Sequence, residues 1–372
     1  MNLETKKLKA ALERLCLVVP KKGTLPVLEN LRWRVVRGHL ELTATDLDNS
    51  LYISMPFAAP TVNSVDVLVP AKELYQAVKT ESTPNMEVRI HDGKFEVRAN
   101  NRTLVLPATE PKNFPQIPDG ELNLRGQILA SALETALTKA LFCVSTESTR
   151  YSTDVVKLEM RDSTFRVVGT DGHRLSVVEG AAKNGGNSAA FSTLLLRSTA
   201  SILSKLESNG DSGWVQFSTC GTEQEFLLFV LPDGSGLIAR RGQGQFPNYE
   251  NVMPKAPLEA KVVFQREELL DGLTKLSATA RKAQNAAVKL ELSKSPACIK
   301  AENDGTANRV ALEHARVSGK ARDIGVNHQY LTQYVKSLET DTVSMRLFPR
   351  AISEVIVFDS FRYQHLLMPL RD

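Results

Sequence analysis

The strongest candidate for chemistry in this 372-residue chain is the run Thr170-Asp171-Gly172-His173-Arg174-Leu175, where an imidazole lies two positions from a carboxylate. Residues two apart on a strand share a face, so Asp171 and His173 could meet as a general acid–base pair. The groups that would make such a pair an active site do not accompany it. The chain has no nucleophile elbow and no metal-ligand spacing. Gly242-Gln243-Gly244 lacks the third glycine and the following helix of a dinucleotide fingerprint. The four cysteines, Cys16, Cys143, Cys220 and Cys298, lie far apart and form no Cys-x-x-Cys pair. A zinc site or a disulfide framework is therefore not expected, and the thiols read as reduced and mostly buried. No catalytic residue, metal or cofactor is predicted.

The elements that must position these residues come three times over. An amphipathic stripe, Leu8 to Leu15, leads through Leu42-Thr43-Ala44-Thr45-Asp46-Leu47 to a second helical pattern at Pro70–Lys79, and the pass closes on Phe114-Pro115. The second pass runs from Leu133–Leu141 through Val167-Val168-Gly169-Thr170-Asp171-Gly172 to Leu194–Leu206 and Phe246-Pro247. The third runs from Leu269–Leu276 through Ile299–Asp304 to His328–Leu338 and Met368-Pro369. The period of about 120–130 residues is the size of a small domain and too long for a solenoid unit. Three domains are expected, at 1–120, 121–253 and 254–372.

Within each pass, apolar residues three or four apart predict two helices, and period-two runs predict half-buried antiparallel strands. Such runs are Leu40–Thr43, Phe95–Arg98, Val156–Glu159, Val288–Glu291 and Val355–Phe358, with turns at Asp92-Gly93, Asn209-Gly210 and Asp233-Gly234. The fold class is α+β, three tandem copies of two helices on small antiparallel sheets. Off the apolar stripes the helices carry cations: Lys6, Lys7, Lys9 and Arg14, then Lys72 and Lys79, Lys139, Arg197 and Lys205, Lys275, and Lys336. A solvated face is the ordinary reading of any one such helix, but six helices share the feature. Net charge is +4, distributed as +2, −2 and +4 over the three passes. That excludes the dense basic patch of a sequence-specific DNA reader and fits a diffuse attraction to a polyanion. No apolar run approaches the roughly 20 residues of a membrane span, and the first residues lack a signal-peptide core, so a cytoplasmic protein with no membrane association is expected.

Taken together these residues resemble the bacterial sliding clamp, the beta subunit of DNA polymerase III. The run Thr170–Leu175 is similar to the family's central-domain signature. Thr24-Leu25-Pro26-Val27-Leu28-Glu29-Asn30-Leu31, Thr45-Asp46-Leu47, Phe246-Pro247-Asn248-Tyr249 and Leu366-Leu367-Met368-Pro369-Leu370-Arg371 follow in the family's order and spacing. The resemblance implies a head-to-tail homodimeric ring lined by helices, through which double-stranded DNA passes without sequence readout. It implies a non-catalytic processivity factor that tethers the DNA polymerase III catalytic subunit, is handled by a clamp loader, and serves other DNA polymerases and repair proteins carrying clamp-binding peptides. DNA contacts are expected at Lys22, Arg150 and Tyr151, and at Lys79, Arg197 and Lys205 on the helices. A partner-peptide pocket is expected from Thr153, Thr170, Gly172, His173, Arg174, Leu175, Pro247, Val252, Asn327, Tyr330, Ile352, Leu367, Met368, Pro369, Leu370 and Arg371. The joint between protomers is expected near Leu104, Leu106 and Leu273–Leu276. Thr153 stands where many members have Leu, Asn285 where an aromatic is common, Asn251 where an Arg is common and Glu354 where a small polar residue is common. These departures make the pocket less apolar and leave a rival reading, an accessory or specialised clamp-like scaffold with altered partner binding.

Overall fold

The computed structural model describes residues 1–21, 25–56, 64–118, 120–145, 153–185, 190–206, 213–221, 223–349 and 355–370. Among these, six α-helices stand where the apolar stripes repeat: α1 (Thr5–Leu15) and α2 (Ala71–Lys79), α3 (Ala130–Leu141) and α4 (Arg197–Leu206), α5 (Arg266–Lys282) and α6 (His328–Lys336). Each follows directly on a strand, and the helices pack in these pairs. The stripes are what they bury. Leu8, Leu12 and Leu15 of α1, Leu133 and Leu137 of α3, and Leu269, Leu273 and Leu276 of α5 are almost fully withdrawn from water. At about 1.5–3 kcal/mol per buried leucine, packing rather than capping holds these helices. The second-pass pattern starting at Leu194 divides: Phe191–Leu196 is a strand and the helix begins at Arg197.

Every repeat contributes two four-stranded antiparallel sheets in one order. In the first repeat one sheet holds Asn2–Glu4, Asn85–His91, Lys94–Ala99 and Arg102–Pro107. The other holds Val65–Pro70, Asn30–Val36, His39–Thr45 and Asn49–Pro56. The second repeat matches these with Asn123–Leu129, Trp214–Cys220, Phe226–Val230 and Gly236–Arg240, and with Phe191–Leu196, Val155–Arg161, Thr164–Thr170 and Arg174–Asn184. The third does so with Ala260–Gln265, Thr342–Leu347, Ile356–Ser360 and Tyr363–Leu367, and with Ile324–Asn327, Ala287–Glu291, Ala297–Asn303 and Thr306–Leu312.

These sheets join across repeats edge to edge. Asn49 to Tyr52 pair with Ala239 back to Gly236, and Arg174 to Val178 pair with Leu367 back to Tyr363. Two junctions, each a continuous sheet shared by neighbouring repeats, thus tie the chain together. Strands Arg102–Pro107 and Thr306–Leu312 hold the matching edge positions in their own sheets and, among the described residues, have no strand beyond them.

Three expectations from the sequence are corrected here. Val355–Phe358 does not alternate: Ile356, Val357 and Phe358 are all buried, because the segment between the second and third repeats covers the outer face of their sheet. Arg14 does not lie on a solvated face; its guanidinium reaches Asp233 Oδ2 at 2.5 Å and Ser235 Oγ at 2.5 Å across the first junction. Leu273 and Leu276 are fully buried in the core and offer no free apolar surface to a joint, although their helix packs on the edge strand Thr306–Leu312, where Asn308 donates to the Lys275 carbonyl. The turn at Asn209-Gly210 lies outside the described residues.

Candidate functional site

The signature run turns the chain over three residues, Asp171 to His173, between strands Thr164–Thr170 and Arg174–Asn184. Thr170 Oγ1 donates to the Arg174 carbonyl (2.7 Å) and accepts from the Gly172 N–H (3.1 Å). The Asp171 carboxylate accepts from the backbone N–H groups of His173 and Arg174, both at 3.0 Å, and from Arg174 Nε at 2.9 Å. Short polar side chains that bond to their own backbone are what make Thr and Asp turn formers. Asp171 therefore builds the turn, and the acid–base pair with the His173 ring does not form. Gly172 takes φ +88, the left-handed region that glycine enters without strain.

Arg174 bridges two repeats. Its guanidinium lies 4.1 Å from the Tyr330 ring centre and 5.6 Å from that of Phe142, and Nη1 donates to Gln333 of α6. Cation–π contact of this kind is strongest when desolvated, and the Arg174 side chain is only 8% exposed. Burial also pushes the Tyr330 phenol pKa up from its ordinary value. On the other side, Met368 donates its N–H to the His173 carbonyl at 2.9 Å, which lays the C-terminal run along the turn. The 3-10 turn Tyr249–Val252 closes the third side. Its anchor is Tyr249, whose hydroxyl donates to Glu159 (2.6 Å) and accepts from Arg166 (2.9 Å).

Between these walls lies an apolar cavity of about 310 Å³. Of the pocket residues expected from the sequence, Thr153, Thr170, Gly172, His173, Arg174, Leu175, Pro247, Val252 and Met368 line it. Asp171, Asn248, Tyr249, Val355 and Leu366 line it too and were not foreseen. Leu367 does not: it points into the core, because alternation puts Leu366 and Met368 on the outer face. Asn327 is the N-cap of α6, accepting from the N–H groups of Gln329 (2.9 Å) and Tyr330 (3.1 Å) and donating to the Asn285 carbonyl (2.8 Å). Tyr330 borders the cavity through Arg174. Pro369 and Leu370 continue past it, Leu370 donating its N–H to the Gly325 carbonyl at 2.8 Å. Ile352 and Arg371 lie outside the described residues, as does Glu354. Asn285 sits at φ +56 in the turn after α5 and is not in the cavity wall.

Residues 1–118 match the family model for the N-terminal domain of the DNA polymerase III beta subunit, and residues 250–371 match that for its C-terminal domain. The chain belongs to the DNA polymerase III beta subunit family. The beta sliding clamp of Pseudomonas aeruginosa is 26% identical over 362 residues, which take in 95% of both chains. That of Rickettsia felis is 26% identical over 368 residues, 92% of this chain and 91% of its own. In fold, the sliding clamp of Pseudomonas aeruginosa superposes with a TM-score of 0.88 at 23% identity, over 100% of this chain and 99% of the other. The beta subunit of Thermotoga maritima does so at 0.88 and 20%, with the same coverage. The role of this beta subunit is that of a non-catalytic processivity factor in DNA replication. No described helix is long and apolar enough to cross a membrane.

Of the residues expected to meet DNA, Lys22, Arg150 and Tyr151 lie outside the described residues. Lys79, Arg197 and Lys205 are exposed, on α2 and at the two ends of α4; Lys79 Nζ lies 5.7 Å from the Tyr75 ring centre. Other cations off the apolar stripes are engaged within the beta subunit. Arg14 holds the first junction, Lys72 donates to the Pro20 carbonyl at 2.6 Å, Lys139 lies 5.3 Å from the Tyr363 ring centre, and Lys7 and Lys275 pair with Glu4 at 2.8 Å and Asp271 at 2.6 Å.

Proposed function

We propose that two copies of this chain close head to tail into a ring around double-stranded DNA, and that the ring tethers the DNA polymerase III catalytic subunit through the cavity beside His173. The reading rests on one observation above all, the pair of half-sheets left open. The partners of strands 49–56 and 174–184 within the chain are the counterparts of Arg102–Pro107. Two copies of the chain can pair Thr306–Leu312 with Arg102–Pro107 twice over and complete two further sheets of the kind already present. The register of the second junction would set Thr306 opposite Leu106 and Asn308 opposite Leu104. The units that repeat are three clamp domains, 1–120, 121–253 and 254–372.

Such a ring needs no base contacts, since topology holds it on the duplex and diffuse charge lets it slide. Lys79, Arg197 and Lys205, with Lys22, Arg150 and Tyr151, would face the phosphates. Each phosphate contact removed lowers the salt slope of binding by about one unit. A tethered polymerase stays at high effective concentration when it lets go of the primer end. The clamp loader, other DNA polymerases and repair proteins would use the same cavity, in the cytoplasm. Loading with a matched clamp loader tests the ring: the protein should stay on a nicked circle and run off once the circle is linearised. Equal loss from both would end the reading. Deleting Met368–Asp372 should cost a polymerase-derived peptide at least tenfold in affinity, because truncated apolar anchors cost about 2 kcal/mol or more. Thr153, buried in the cavity wall, supports a second reading, a specialised clamp with altered partner choice. Thr153→Leu should then strengthen purely apolar peptides.

A further inference from the structure

We propose that the beta subunit has a second docking subsite next to the His173 cavity, and that it takes an acidic, leucine-containing stretch of the same partner chain. This rests on the reading of the first cavity as a peptide site. A second cavity of about 310 Å³ opens on the same outer face of the third repeat. The two are continuous in structure. Val355 and Leu366 line the first, and Val357 and Gln364, two residues further along the same strands, line the second. That step is about 7 Å of strand, which a few residues of extended peptide span. Val252 belongs to the first cavity and Met253 to the second, so only the crossing chain separates them.

The chemistry of the second cavity differs from that of the first. Its floor is apolar, from Met253, Phe348 and Val357, and Leu258 stands at its rim 49% exposed. Its charged lining is cationic: Lys255 and Arg346. Arg346 Nη2 meets Asp359 at 3.4 Å, but its Nε is buried and has no hydrogen-bond acceptor. The Arg346 side chain is 31% exposed, so an arriving carboxylate would meet the outer part of the guanidinium, which it satisfies better than any neutral acceptor. The surround adds to the sign. Lys261 is the strand partner of Arg346, while Glu259 is already paired with Arg322 at 2.7 Å. A segment that alternates acids with leucine would meet both the cations and the floor.

The test uses the full-length protein and the shortest fluorescein-labelled peptide of the cognate polymerase catalytic subunit that binds it. That peptide is lengthened at either end by Ser-Gly-Asp-Leu-Glu-Asp or, as control, by Ser-Gly-Ser-Gly-Ser-Gly. The quantity read is the ratio of Kd values, control over acidic. At low salt the acidic extension at one end should gain about five- to tenfold, and the gain should shrink as salt rises. In Lys255→Glu, a surface change, and separately in Arg346→Gln, the ratio should fall below about twofold. A ratio near one in the unaltered protein, with the short peptide still binding, overturns the subsite alone. A ratio that survives both substitutions also overturns it. Loss of the gain on adding an eight-nucleotide oligothymidine would assign the patch to nucleic acid instead. If no peptide of that subunit binds at all, the first cavity and the subsite are overturned together.

Discussion

At the first junction Arg240 donates its backbone N–H to the Asp48 carbonyl at 2.7 Å; at the second, Met368 donates to His173 at 2.9 Å. The turns that carry these carbonyls are bonded alike, Thr45 and Asp46 in one repeating Thr170 and Asp171 in the other. The side chains then part ways. Asp48 and Arg240 form an ion pair at 3.1 Å over the first junction, whereas His173 and Met368 leave the second open. Asn49, in the position of Arg174, is fully buried and bonds directly to Ser198 (3.2 Å) and Thr199 (2.6 Å) of α4. Arg174 reaches Tyr330 and Gln333 of α6 only at the end of a long side chain. A short residue bonds its helix directly to the turn; a long one reaches its helix at full stretch and lies in the wall of the cavity beside it. One backbone arrangement gives a sealed joint or an open cavity according to two or three side chains.

The comparison breaks most visibly if the sealed junction is copied into the open one. His173→Asp with Met368→Arg should place an ion pair across the mouth and lower partner-peptide affinity at least tenfold, about 1.4 kcal/mol or more. Fluorescence polarisation reads this, and binding within twofold of the original would show that these positions do not control access.

A smaller effect is expected beneath the cavity. Where the first junction buries Leu237, the second buries His365, stacked on Tyr334 at 4.6 Å and 3.7 Å from Cys143 Sγ. Burial, helped by Arg174, pulls the His365 pKa down to about 3. In the unfolded chain the ring protonates near its ordinary value of about 6.5. The unfolded state therefore holds the extra proton between these values. Stability that is complete above about pH 6.5 falls as pH drops toward 3, by about 1 kcal/mol between pH 6 and pH 5. His365→Leu should flatten that limb in urea melts at the two pH values. An equal loss in both proteins would assign it to other groups.

The smallest change is expected from Arg240→Ala. Both partners of the Asp48–Arg240 pair are about half exposed, so its loss should cost under about 1 kcal/mol and less still in high salt. It should create no peptide binding, since Asn49 still holds α4. Peptide capture by the first junction in this variant would mean that the ion pair alone seals it.

Much of this was legible from residue order. Thr-Asp turns announce themselves because the side chains that make them bond locally, and the helices because their stripes recur at fixed spacing. The phase of the last strand was not legible. Leu366 and Leu367 are both apolar, and both of their faces are covered, so nothing in the pattern says which one meets the cavity. Arg14 misled for a related reason. Its place on the polar side of α1 is visible locally, but Asp233 and Ser235, which consume it, lie in another repeat. Tyr249 could have been found, since it closes the quoted run Phe246–Tyr249, but its tie to Glu159 and Arg166 is again tertiary.

The two open strands, Arg102–Pro107 and Thr306–Leu312, carry a consequence for assembly beyond the ring proposed for them. An edge strand accepts any chain that offers the right row of N–H and carbonyl groups. Head-to-tail pairing closes only if the turns at successive joints add to a full circle; otherwise it runs on as a filament. In a dimer four of six joints are the two covalently linked junctions of each chain, so their curvature decides between the outcomes. A substitution that flattens one of them, however mild for folding, would turn a discrete particle into a fibre whose length grows with concentration.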